Sequence, residues 1–167
     1  MKKFTTIFMA LAIVLTLAGT LPAAAATDNS LLCSGYYGIN RIDGVIGQVA
    51  PGTEEALLFS RVLADGDLAL TDGVKTGSQL TLSREGAVID SLSLVVQADC
   101  SGDGQFSVTD MLMVKSMLLD QQEFTAAQSH AADVSGDGRI DSNDAVLIGQ
   151  YVKGAITAFP IENKSEG

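Results

Sequence analysis

The sequence predicts an α+β fold: a small strand-rich N-terminal module with one short helix, followed by an α-helical module of two loop–helix repeats. Three observations predict it. Up to Gln97, short apolar runs alternate with Gly, Asp and Thr, in places at period two, as in half-buried strands and turns. A duplication begins at Asp99, where Asp-Cys-Ser-Gly-Asp-Gly returns 34 residues later as Asp-Val-Ser-Gly-Asp-Gly from Asp133 to Gly138. Each copy runs on to an Asp six residues after its last Gly and then an apolar stretch of helical length, so two similar units share one core.

The first segment reads as a leader. Met1-Lys2-Lys3 gives a positive start, Ile7 to Leu17 an apolar run too short for a comfortable membrane span, and Ala23 to Ala26 a small-residue cleavage site. The sequence therefore divides into a signal peptide at 1–26, a strand-rich module at 27–97, a helical module at 98–162 and a tail at 163–167. The whole chain carries a formal net charge of −10, and loss of Lys2 and Lys3 with the leader makes the remainder two units more acidic. Such a surface, with no basic cluster, excludes electrostatic binding of nucleic acid or anionic membrane and suits a hard cation. Cys33 and Cys100 are the only cysteines. In an exported chain they either form one bridge or remain two thiols, and spacing alone leaves both open.

Within 27–97, Gly47 to Gly52 and Leu70 to Gly73 mark strands and turns. Thr53 is placed to cap a short helix beginning Glu54-Glu55, whose acids suit the positive first turn, with Ala56, Leu57, Leu58 and Val62 as its apolar side. Gln79 to Ser83 and Val88 to Val96 alternate, for the most part, as strands. In the second half, helices are expected over Met111 to Leu119 and Ala145 to Val152.

The duplicated loops carry the chemistry. Counted from the first Asp, side chains Asp99, Ser101, Asp103 and Asp110 stand at positions 1, 3, 5 and 12, and Asp133, Ser135, Asp137 and Asp144 repeat them. A calcium ion takes six to eight oxygens, and this spacing wraps the chain so that alternate residues face one centre. Gly104 and Gly138 at position 6 permit the sharp turn, and the carbonyls of Gln105 and Arg139 supply position 7. Position 9 is Ser107 in the first loop and Asp141 in the second, so the second has more charge and binds more tightly. Phe106 and Ile140 at position 8 stand where paired loops touch. Two ions per chain follow, and their binding drives folding of the crowded carboxylates.

These features resemble the dockerin family, whose type I members carry two Asp-x-Asn-x-Asp-Gly loops ending in Asp, each followed by one helix. The resemblance spans about Ala98 to Glu162 and includes the end Ala155 to Glu162, similar to dockerin C-termini that fold back near the first repeat. Ser101 and Ser135 depart from the family's Asn at position 3. The resemblance implies docking onto a cohesin domain of a scaffold or cell-surface protein, and an indirect association with polysaccharide breakdown. It places partner contacts at Val108 and Thr109 in one copy and Ser142 and Asn143 in the other, with Lys115 and Ser116 matching Gly149 and Gln150. Because these pairs differ, one repeat is expected to dominate recognition.

No catalytic constellation is visible, and the chain is expected not to be an enzyme. His130 is the only histidine and lies between the repeats on a linker or helix surface; Glu54 and Glu55 are helix-start charges; Ser34 and Ser60 have no base partner. Tyr37 to Asn40, Ala50 to Thr53 and Thr76-Gly77 resemble small modules found ahead of dockerins, which suggests a spacer, an adhesive unit or a carbohydrate binder. Tyr36, Tyr37 and Phe59 are too few for a platform of stacked sugar-binding rings and are better used in a core. The alternative function is a calcium-dependent extracellular structural or carbohydrate-binding protein.

Overall fold

The computed structural model describes residues 32–33, backbone only, and 36–161. The expected signal peptide and the tail lie outside the described residues. No helix among those described is long and apolar enough to cross a membrane.

Short strands open the chain: β1 (Leu32–Cys33), β2 (Gly38–Asn40) and β3 (Val45–Val49). Helix α1 (Glu55–Ser60) follows, then β4 (Val62–Leu63), β5 (Asp67–Leu70), β6 (Gln79–Arg84) and β7 (Ala87–Val96). Strands β6 and β7 fall where alternation predicts them. The helix starts one residue late, with Glu54 rather than Thr53 at its N-cap. The Thr53 hydroxyl instead donates 2.7 Å to the Ala50 carbonyl, closing the Ala-Pro-Gly-Thr turn. Glu55 still meets the positive first turn as expected.

Strand order is β2-β3-β7-β6-β5, with β1 and β4 paired apart. All pairs in the main sheet are antiparallel except β3 with β7. A parallel pair needs a crossover, and α1, β4, β5 and β6 form it. In β3 the register shifts between Ile46 and Val49, where Gln48 adopts φ 64°, so the strand bulges there.

Period two sorts the side chains onto two faces. Ile46, Leu80, Leu82, Leu92, Leu94 and Val96 point to one face and bury against Tyr37, Leu58 and Val62. Val45 and Val95 point to the other, where Ala127 and Ala131 cover them. Tyr37 and Phe59 serve this packing, whereas Tyr36 is 54% exposed, with the Arg61 guanidinium 4.7 Å above its ring. Fully burying one of these leucines is worth roughly 1.5–3 kcal/mol, so the sheet face dominates the first core.

Beyond the sheet come α2 (Val108–Leu118), α3 (Ala126–Ala132) and α4 (Ser142–Val152). The expected helices are α2 and α4, each begun a few residues earlier by its cap. Helix α3 was not expected. Its Thr125 cap and Gln128 close a reciprocal box, and its alanines allow close approach to β3 and β7. A further core gathers Ala98, Cys100, Val114, Ala132, Val134, Ala145, Ile148 and Phe159. Phe106 and Ile140 both pack onto it, Phe106 with its ring edge-on to Tyr151 at 6.0 Å. The chain end folds back here: Phe159 is fully buried 4.6 Å from the Tyr151 ring, and the Ile161 N–H donates to the Val134 carbonyl in the second loop. Residues 94–100 are all buried, so the sheet passes into the first loop inside the fold.

Candidate metal centres and docking face

Each duplicated segment forms a loop closed by its own aspartates. Asp99 accepts N–H bonds from Gly102 at 2.9 Å and Gly104 at 3.3 Å, and Asp133 from Gly136 at 2.8 Å and Gly138 at 2.9 Å. The position-5 carboxylates bond two residues on, Asp103 to Gln105 N–H at 2.7 Å and Asp137 to Arg139 N–H at 2.9 Å. Position 12 ties the loop's two ends together. Asp110 accepts from Ser101 N–H at 2.9 Å and Ser107 N–H at 3.0 Å; Asp144 accepts from Ser135 N–H at 3.0 Å and Asp141 N–H at 2.9 Å. Ser107 and Asp141 in turn cap α2 and α4, completing capping boxes that link loop to helix. The reciprocal pairing of positions 9 and 12 fixes where each helix begins, a role the spacing alone did not disclose.

Among the described residues, no three His, Cys, Asp or Glu side chains gather as a metal centre by themselves. Any cation must therefore also draw on the neutral oxygens of Ser101, Ser135, Ser107 and the carbonyls of Gln105 and Arg139. Two observations fit that donor set. Asp99, Asp110 and Asp144 are fully buried, and none of the loop carboxylates enters an ion pair among the described residues. Burying a carboxylate without a counter-charge is unfavourable, and a hard divalent cation would supply the missing charge. The Ser101 hydroxyl oxygen at position 3 is buried with no hydrogen-bond partner, as a ligand atom would be. Its counterpart Ser135 turns its hydroxyl to Asp133 at 3.2 Å.

Burial raises the Asp99 carboxyl above its ordinary range, against the Thr76 and Gly104 N–H bonds that lower it, and the nearby Asp110 charge adds to the rise. Burial likewise pushes the Cys100 thiol up, helped by the Asp110, Asp99 and Asp144 charges. Cys100 is a buried free thiol, and the Cys33 side chain lies outside the described residues. His130 sits on α3 and bonds Asp43 of the strand-rich half at 2.8 Å, a surface tie between the two halves.

Helices α2 and α4 pack together where Gly149 lets Met111 approach: a Cβ there would meet its sulfur at 3.1 Å. A groove of about 480 Å³ runs between the helices, lined among others by Lys115, Leu118, Ser142, Val146, Gly149 and Gln150. Four of the eight proposed partner contacts, Lys115, Ser142, Gly149 and Gln150, thus share one face. Val108, Thr109, Ser116 and Asn143 are on the same two helices without lining the groove.

Residues 97–153 match the model of the dockerin type I domain. Among solved structures, the chain is similar to one from Acetivibrio cellulolyticus, the third cohesin of ScaC in complex with the ScaB dockerin mutated in its N-terminal helix (IN to SI), displaying a type I interaction. The match has 34% identity over 41% of this chain and 97% of that one, with a TM-score of 0.40. No curated protein matches the chain.

Proposed function

This chain belongs, through residues 97–153, to the type I dockerin family, and from that premise we propose that it is an exported, non-catalytic protein that docks through calcium-loaded loops onto a cohesin. The carrying observation is the family match over two loops whose buried carboxylates have no cationic partner among the described residues. The first ion would be held by Asp99, Ser101, Asp103, the Gln105 carbonyl, Ser107 and Asp110. The second would be held by Asp133, Ser135, Asp137, the Arg139 carbonyl, Asp141 and Asp144. Calcium supplies the positive charge that lets these oxygens crowd, acting as a structural clamp at extracellular concentrations. The residues themselves then fix where α2 and α4 begin through the two capping boxes, and the two helices, packed at Gly149 and Met111, present the groove between them to the partner. With Asp141 where the first loop has Ser107, the second site binds more tightly.

Attachment to a scaffold or cell surface, and through it to polysaccharide breakdown, follows from the family. Because Val108-Thr109 and Ser142-Asn143 differ, one repeat dominates recognition. Titration calorimetry of the full chain against a panel of cohesins tests the reading, with calcium and then with chelator. Binding in calcium that chelator abolishes is expected. Binding that chelator leaves unchanged overturns the calcium clamp, and equal losses on altering either residue pair overturn the single preferred mode.

A further inference from the structure

We propose that Thr76, in the strand-rich half, is a positioning residue of the first loop: it holds the Asp99 carboxylate and ties calcium occupancy of that loop alone to the folded sheet. The proposal rests on the calcium reading above. The Thr76 N–H donates 2.8 Å to Asp99 Oδ2, the oxygen that also takes the Gly104 N–H, and both residues are buried. Thr76 is itself pinned. Its hydroxyl accepts from Val96 N–H and donates to the Val96 carbonyl, both at 3.1 Å, standing in for a strand partner at the end of β7. Gly77 N–H to the Leu94 carbonyl at 2.9 Å and Leu94 N–H to the Ser78 carbonyl at 2.7 Å extend the same ladder. The loop leans on this segment from the other side as well: a Cβ on Gly104 would lie 3.4 Å from that of Lys75.

Among the described residues, no N–H from outside the second loop reaches its first aspartate. Asp133 accepts from Ser135 Oγ, Gly136 N–H, Asp137 N–H and Gly138 N–H, every one of them within its own loop. An N–H aimed at a buried carboxylate stabilises its charged, ion-binding form and fixes its direction before the ion arrives. The first loop, poorer in charge through Ser107, is thus preorganised by the sheet, whereas the second depends on its own aspartates. Ion binding at the first loop should in turn hold the 74–78 segment on β7, since the linkage is reciprocal.

The test follows the Gly104 and Gly138 amide signals, one per loop, by nuclear magnetic resonance of the full chain during titration with calcium chloride. Thr76→Val keeps the branched shape and removes the hydroxyl that anchors the segment. It is expected to weaken the affinity read at Gly104 about tenfold, the range of one charge-assisted hydrogen bond, and to leave Gly138 within about twofold. Thr76→Ser should restore Gly104. Equal weakening at both glycines, or none at Gly104, overturns the proposal. Should Thr76→Val not fold, the unaltered chain still decides: the Thr76 amide must be protected from hydrogen exchange in saturating calcium, and free exchange overturns the tie. If neither glycine of the unaltered chain responds to calcium, the calcium reading falls and the proposal with it. A calcium response that ignores Thr76→Val overturns the tie alone.

Discussion

Gly102 approaches Thr76 so closely that a Cβ on it would lie 2.8 Å from the Thr76 carbonyl oxygen. The matching residue of the second loop, Gly136, has nearly the same φ, 69° against 71°, but its added carbon would meet the side chain of Ile161 at 2.9 Å. Both alanine variants incur the left-handed strain of about 1–2 kcal/mol. Only at Gly102 is the obstacle backbone, which cannot rotate away. Gly102→Ala is therefore expected to destabilise by about 2–4 kcal/mol and Gly136→Ala by about half as much, compared by urea unfolding in saturating calcium. Equal losses would show that the sheet segment yields as easily as the Ile161 side chain.

The position-12 aspartates cap their helices and, in the reading proposed above, also hold the ion, and chelator separates the two roles. Removing Asp144 leaves the Ser135 and Asp141 N–H groups without their acceptor and undoes the α4 capping box. Asp144→Ala is expected to destabilise the chain by about 2–4 kcal/mol even without calcium, and to abolish one of two calcium sites in calorimetry. Asp110→Ala should behave alike at α2. Were either variant neutral in chelator, the carboxylate would be a ligand alone and not a structural cap.

Why the loops were legible and their setting was not follows from sequence distance. The bonds of positions 1 and 12 to positions 3, 4, 6 and 9 close within one short segment, so residue type and spacing specify them, and the 34-residue duplication repeats the signal. Strands β6 and β7 were legible because alternation reflects one buried face. Helix α3 escaped because Ala-Ala-Gln-Ser-His-Ala-Ala has no apolar period, although Thr125 and Gln128 carried a capping-box signal that could have found it. Thr53 illustrates the limit of cap reasoning: a turn offered its hydroxyl a nearer acceptor at Ala50. The Thr76–Asp99 bond joins residues 23 apart across a turn of the sheet and leaves no local trace.

Phe106 touches both the sheet core and the helical core, and its edge meets Tyr151. Phe106→Ala should lower stability by about 2–3 kcal/mol, less than for a fully buried ring because this one is partly exposed. It should also uncouple the halves. Calorimetric unfolding is expected to change from one transition to two, and a single transition of lower midpoint would mean that α3 on β3 and β7 suffices to couple them.

The α2–α4 groove predicts where docking fails without harm to the ion sites. Val146 is 55% exposed and Leu118 37%, and both line the groove. Val146→Asp and Leu118→Asp place a charge in an apolar contact, which is expected to weaken cohesin binding at least about tenfold. Calcium affinity and midpoint should stay as they were. Loss of calcium affinity would place the effect in the loops instead.

Cys100 offers a readout of the core that the proposed calcium clamp would hold closed. Its side chain is fully buried among Ala98, Val114, Ala132, Val134 and Phe159, and burial with three nearby carboxylates keeps it a thiol. Only a thiolate attacks an alkylating or disulfide reagent efficiently. Labelling at pH 8 in calcium should therefore leave Cys100 unmodified, while chelator speeds its reaction in proportion to the population that opens. Mass spectrometry of the digested protein reads this site by itself. Rapid labelling in calcium would mean that the core holding Asp99, Asp110 and the ends of both loops opens readily, and that the ion does not clamp it.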